Sequence, residues 1–405
     1  MGEATAVLDN VNSQKRAARR RPVPALWSWP FRPFFPGAAL LAASVVPVWL
    51  ATLFGWMHPP LALPALGWHV HEMLFGFLEA ALAGFLLTAV CHWTGTRPVA
   101  GGWLVGLFGI WLAGRALLFL GAGLPAWVPA TVDLAFLPLV AAAAGRRIVG
   151  TRNWRNLPVL AAVTLLWSAD LLFHLNGGAL PAVPVRVAAD AAILLMLIVG
   201  GRITPAFTNN WLRAHRPGVP GAIAHPWLEV ATIGSAALTA ALDLAAVPAA
   251  AGAVALAAGL LSLIRLLAWR GWSTVAEPLL WVLHLGMAWV SAALVLRGLS
   301  GWFGLPPTLW LHAVGAGAMG TLILGVMTRV SLGHTGRPLR LPRGAWCIYL
   351  AVIAAGALRV GAAGGLLDQR TGLGAAAFCW SLAFVLFLAY YIPILCRPRL
   401  DGKPG

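Results

Sequence analysis

Charge is scarce in this sequence. Asp, Glu, Lys and Arg make up 10% of the 405 residues, and only 12 residues are acidic. A soluble domain carries roughly a quarter charged residues, so a water-facing surface over most of the chain is excluded. Cysteine is scarce too. The four (Cys91, Cys347, Cys379 and Cys396) form no CxxC pair, which argues against a disulfide framework or a thiolate metal site, and the absence of CxxCH excludes a covalently attached c-type haem. Tyr is reduced to 3 residues. Hydrophobic residues take up 60% of the chain, which is a membrane composition. Trp is plentiful, with 21 residues. Many flank the apolar runs, among them Trp56, Trp68, Trp93, Trp127, Trp154, Trp227, Trp302 and Trp346, as a belt at the membrane–water boundary requires.

The net charge of +16 would suit a nucleic-acid partner if it formed a patch. It does not. The basic residues sit at the ends of apolar runs, which is how membrane topology is written, so the expected partner is the lipid bilayer and not nucleic acid. A span needs about 20 apolar residues. Twelve stretches qualify: 37–56, 68–92, 102–121, 128–146, 156–176, 184–203, 226–246, 249–269, 278–298, 307–330, 344–364 and 372–395. With the connecting segments assigned alternately to two sides, all but five of the 28 Lys and Arg fall with the N-terminus. Arg186, Arg297, Arg359 and Arg370 fall on the other side, and Arg115 lies inside a span. The positive-inside rule then predicts an all-α polytopic membrane protein of twelve transmembrane helices with both termini cytoplasmic. Cys91, Cys347 and Cys396 fall on the cytoplasmic side, where thiols stay reduced. Residues 1–30, with "KRAARRR" at 15–21, read as a basic, disordered cytoplasmic tail rather than a cleaved signal peptide. Residues 31–398 read as one membrane domain, and 399–405 as a cytoplasmic C-terminal tail.

The ends of spans 2, 6 and 10 are alike: "FLLTAVCHWTGTRP" (85–98), "GGRITPAFTNNW" (200–211) and "GVMTRVSLGHTGRP" (325–338). Three four-helix repeats would explain this. Repeated use of Thr, Gly, Arg and Pro at cytoplasmic helix ends would explain it equally.

Ionisable residues inside spans are functional candidates by default. His69, His71, His174, His284 and His312 all fall within or at the mouth of a span. For any one of them the alternative is a helix-to-helix hydrogen bond; as a set they suggest cofactor ligands. At about 100° per residue, His69 and Glu72 share a face that continues through Gly76 and Glu79, while His71 points nearly the opposite way. Two His so placed serve two sites rather than one, and Glu72 is a candidate to orient an imidazole. His312 opens span 10, ahead of "GAGAMG" (315–320). That string follows no strand, so it is not a dinucleotide loop; its small residues, Gly315 first, let a neighbouring helix or a flat macrocycle approach. Met287 and Met319 are candidate soft copper ligands, with plain packing as the alternative. His334 and Arg337, in the polar turn after span 10, could contact a phosphate or a haem propionate. Arg115 could pair with Asp133, Asp170, Asp190 or Asp243, or with a propionate.

Six stretches carry a resemblance: "FRPFFPGAAL" (31–40), "WHVHEMLFGF" (68–77), "GFLLTAVCHWTGTRPV" (84–99), "GGRITPAFTNNWL" (200–212), "PLLWVLHLGMAWV" (278–290) and "GVMTRVSLGHTGRPL" (325–339). Together they resemble the NnrS family. The resemblance implies a multi-pass protein of the bacterial cytoplasmic (inner) membrane that holds haem and copper and takes part in the nitric oxide response. It carries no ligand assignment. Joined to the residues above, it gives haem b and copper held through His69, His71, His284 and His312, with His174 as a further metal ligand. Glu72, Glu79, Arg115, Gly76, Gly315, His334 and Arg337 are then supporting groups. A looser likeness is to haem–copper oxidases and their NO-reducing relatives, which place haem ligands on spans 2 and 10. Their copper uses three His on spans 6 and 7, where this chain has only His225 at the mouth of span 7. Two rival functions remain: an NO reductase fed by quinol or a separate electron donor, and a twelve-span secondary transporter with a long inner loop at 204–225, which would carry no pigment.

Overall fold

The computed structural model describes residues 23–179 and 182–403. Twelve helices are long and apolar enough to cross a membrane: α1 (Phe31–Leu53), α2 (Ala65–Thr94), α3 (Gly102–Leu120), α4 (Trp127–Gly150), α5 (Trp154–Leu175), α6 (Ala182–His215), α7 (Pro226–Leu244), α8 (Pro248–Ala268), α9 (Pro278–Phe303), α10 (Pro307–Gly333), α11 (Trp346–Ala363) and α12 (Gln369–Leu395). No strand occurs among the described residues. The expected all-α, twelve-span architecture is therefore what the chain adopts. Of the N-terminal tail, residues 1–22 lie outside the described residues. The stretch just before α1 is folded, with a 3₁₀ turn at Ala25–Trp27.

Local chemistry sets the helix ends. Pro opens α7, α8, α9 and α10 at the first turn, where its missing N–H has no partner to lose. Glu277 caps α9 by accepting from the Leu279 N–H, and Asp368 caps α12 by accepting from Thr371. Gly95 and Gly304 end α2 and α9 in the left-handed conformation at φ 66° and 62°. The long inner loop expected at 204–225 is shorter than that. α6 runs on through Pro205 to His215 as a helix of 34 residues, because a proline in a packed membrane helix can be accommodated by its neighbours and the polar "TNNWLRAH" stretch continues the same helix.

α2, α6 and α10 are the most buried spans, and the others pack around them. Small residues permit the close approaches. A methyl group at Gly356 on α11 would stand 3.1 Å from the Gly317 Cα on α10, and one at Gly259 on α8 would stand 2.8 Å from the Val295 N on α9. At the arginine-rich end, buried Arg32 on α1 donates to the carbonyls of Leu395 (2.6 Å) and Arg397 (2.8 Å), tying the first span to the end of the last. In the arginine-poor half, Arg297 on α9 pairs with Asp190 on α6 and Asp243 on α7, and Arg186 on α6 stands 3.2 Å from Asp243. Two of the four arginines that the charge count placed on that side are thus paired with carboxylates of neighbouring spans.

Two spans depart from α geometry. α2 is helical over Ala65–His71, turns π-helical over Glu72–Phe77, then resumes as an α-helix. α10 does the same, with a π segment over Ala313–Met319 directly after His312. π segments are rare and often mark functional sites, since the wider turn re-aims side chains.

Candidate functional site

His69 and His71, two residues apart on the α-helical turn that precedes the π segment of α2, face different ways. His69 faces an apolar cavity of about 530 Å³ between α1, α2, α6, α10, α11 and α12. Its ring stacks on Trp49 of α1, centroids 4.2 Å apart and planes 17° apart. His312 lines the same cavity from α10, together with Gly315. The His312 Nδ1 lies 2.6 Å from the Thr308 carbonyl one turn earlier. A contact that short requires the proton on Nδ1, so Nε2 keeps its lone pair. The remaining wall is apolar, with Trp49, Trp310 and Trp380 prominent, but two guanidiniums border it: Arg186 and Arg359. Arg186 is shared with Asp243, whereas Arg359 has no carboxylate in ion-pair range among the described residues.

His71 looks the other way, into a buried polar cluster built from α2, α3, α4 and α5. Its Nε2 lies 2.9 Å from the Asp133 Oδ2 and 3.1 Å from the Asp170 Oδ1. His174, one turn after Asp170, brings its own Nε2 to 2.9 Å from the same Asp133 oxygen. The four ligand atoms lie within 4.8 Å of one another, which is close enough to hold one metal ion. Arg115 on α3 pairs with Asp133 and places its Nε 3.1 Å from the Glu72 Oε2. The Glu72 Oε1 is 3.6 Å from the His71 Nδ1. Glu72 accepts no hydrogen bond, and neither does the Glu79 Oε1 further along α2.

Residues 25–399, nearly the whole chain, match the NnrS protein family. The chain belongs to the NnrS family. No curated protein matches it.

In this NnrS-family chain the expected ligand set separates into parts. His69 and His312 come together at one cavity. His71 and His174 come together at the polar cluster. His284 joins neither: it meets the Thr208 hydroxyl at 2.9 Å and packs edge-on to Trp269, on the inner part of α9. The expected stripe of His69, Glu72, Gly76 and Glu79 also divides. Glu72 sits with Arg115 and His71 rather than beside His69, because the helix widens into its π segment at that residue. Gly76 keeps its place by Glu72: a methyl there would stand 2.5 Å from the Glu72 Oε2 and 3.1 Å from the Arg115 Nη1. Its carbonyl accepts from the Trp111 indole at 3.0 Å.

His334 and Arg337 lie past the other end of α10, away from both sites. His334 contacts His92 at 3.2 Å, and its carbonyl accepts from Arg399 at 2.8 Å. Burial, with His92 and Arg399 nearby, pushes the His334 imidazole down to about 4. Arg337 turns back on the Thr335 carbonyl at 3.4 Å.

Asp133 and Asp170 are functional candidates that the histidine reading passed over. Asp170 and His174 were visible as an i, i+4 pair on one helix face. Asp133 arrives from a different span, and nothing in its local sequence marks it.

Proposed function

We propose that the cavity lined by His69 and His312 holds haem b, and that the protein binds or transforms nitric oxide there, protecting a bacterium at its cytoplasmic membrane. One observation carries this reading: two imidazoles and two guanidiniums face a single apolar cavity. The cavity suits a flat macrocycle, Arg359 and Arg186 suit its two propionates, and the small residues after His312 let a ring approach the backbone. An iron bound here would supply a coordination position for a diatomic ligand. His312, with Nδ1 fixed on Thr308 and Nε2 free, is suited to be the permanent ligand. Among the described residues the buried His69 Nδ1 has no hydrogen-bond partner; its ring stacks on Trp49, and it would be the less firmly fixed of the two imidazoles beside a bound haem. Turnover of NO would draw on quinol or a separate donor for electrons. The α–π–α pattern shared by α2 and α10, and the central positions of α2, α6 and α10, support three four-helix repeats as the origin of the bundle.

The test is a dithionite-reduced minus oxidised spectrum of the purified full chain, before and after NO. The expected result is a haem b spectrum shifted by NO, lost in His312→Ala and retained in His71→Ala. A colourless protein after haem supplementation would return the cavity to the transporter reading. Copper, the other metal that the resemblance implies, has a weaker footing. The one His/Asp cluster among the described residues contains no thiolate or thioether, the donors that suit cuprous copper.

A further inference from the structure

We propose that His71, Asp133, Asp170 and His174 form a binding site for a carboxylate-preferring divalent cation of the Mn²⁺, Fe²⁺ and Zn²⁺ class, separate from the haem cavity. The inference stands whether or not haem occupies that cavity.

Geometry comes first. The Nε2 atoms of His71 and His174, on different spans, both point at one oxygen, Asp133 Oδ2, each at 2.9 Å. The Asp170 Oδ1 completes the group at 3.1 Å from His71 and 3.7 Å from His174. Two imidazoles and two carboxylates converging on one small volume make a first coordination sphere for a borderline or hard divalent ion. Asp133 comes from the end of the first helical segment of α4, just before its break at Ala135, and Asp170 from the last third of α5; Arg115 holds the other Asp133 oxygen. That contact orients the carboxylate while leaving Oδ2 for the site.

Charge is the independent argument. Glu72, Glu79, Asp133 and Asp170 are all buried, and Glu79 lies within electrostatic reach of Asp170, Arg115, His71 and Glu72. Four carboxylates thus surround one guanidinium, that of Arg115, which is also buried. Uncompensated charge at such a depth is expensive. A divalent cation brings the sum to within one unit of neutrality. Among the described residues the Glu79 Oε1 is buried without a hydrogen-bond partner, while Glu72 is ion-paired with Arg115 at 3.1 Å, so the shell around the four ligands keeps an unused acceptor, as a site holding a cation or its bound water would.

The probe is Mn²⁺, whose free-ion EPR signal disappears on binding and which neither haem iron nor copper imitates. Full-length protein in detergent, stripped with chelator, is titrated with Mn²⁺. The expected result is saturable, stoichiometric binding, competed by Zn²⁺, and a thermal midpoint that rises with Mn²⁺. Asp170→Asn and His174→Gln should each weaken binding by at least about tenfold. Asp170→Asn should also raise the midpoint of the metal-free protein, since it removes one of the crowded carboxylates. That last readout separates a metal site from a structural hydrogen-bond network, which Asp170→Asn would destabilise with or without metal. The proposal is overturned if the wild-type protein binds neither Mn²⁺ nor Zn²⁺ saturably, if the variants bind as well as wild type, or if only Cu⁺ is retained.

Discussion

Arg297 offers a quantitative test of the buried charge network. Its guanidinium, 6% exposed, is paired with Asp190 and Asp243, themselves 2% and 0% exposed. It also lies over the Trp310 ring at 4.7 Å, and Trp310 lines the cavity. In Arg297→Met, Asp243 keeps Arg186 at 3.2 Å, but Asp190 loses the one cation it pairs with among the described residues. Removing one member of a buried pair costs about 3–5 kcal/mol, mostly because a charge is left without compensation. With Asp243 still served by Arg186, the lower end applies, so the expected loss is about 3 kcal/mol. Equilibrium unfolding in mixed detergent micelles, followed by tryptophan fluorescence, measures it. The double variant Arg297→Met/Asp190→Asn should recover more than half of the loss, because the orphaned charge is gone. If Arg297→Met falls within about 1 kcal/mol of wild type, or if adding Asp190→Asn deepens the loss, the stranded-charge argument is wrong.

Other outcomes follow from the same geometry. Arg359→Leu should lower haem retention in purified protein while leaving the fold intact, read as the Soret-to-protein absorbance ratio; unchanged retention would remove the propionate role. Gly76→Ala should destabilise by about 1–3 kcal/mol, since the methyl crowds Glu72 and Arg115, and should weaken Mn²⁺ binding, whereas a purely local packing defect would leave the metal titration unchanged. The His334 imidazole has a folded value of about 4 against 6.5 for the free group, so protonation favours the unfolded state. The stability tied to it is full above about pH 6.5, falls as pH drops toward 4 and is level below. Unfolding measured across that window should show the slope, and His334→Gln should flatten it.

The twelve spans were legible because length and apolarity alone decide them, and the arginine distribution checks the count. The same arithmetic says nothing of what individual arginines meet. Arg186 and Arg297 were assigned only to a side, and only the tertiary arrangement pairs them with Asp190 and Asp243. For the sites, the HxH spacing in α2 correctly separated His69 from His71, because two residues on any helical turn diverge widely. The wheel failed for Glu72, since it assumed a uniform rotation per residue through a segment that is not α-helical. His284 was grouped with the others because it is an imidazole in a span, yet Thr208 satisfies it locally. Asp133 was named only as one of four carboxylates that Arg115 could meet, which it does; its meeting with His71 and His174 is a contact across three spans that no local spacing shows.

The two π segments hold a consequence for how such a protein can change. Each contains more residues than the α-helix needs to cover the same rise. Deleting a single residue from Glu72–Phe77 or from Ala313–Met319 would let the segment relax into the commoner helix. Everything beyond would then turn by about 100° relative to the histidine that precedes it. A one-codon deletion is therefore a single-step route out of this architecture: the span survives and still crosses the bilayer, but the groups that met around His71 or His312 no longer meet. Insertion of a codon at the same place is the reverse route, by which a plain membrane helix could first have acquired a site.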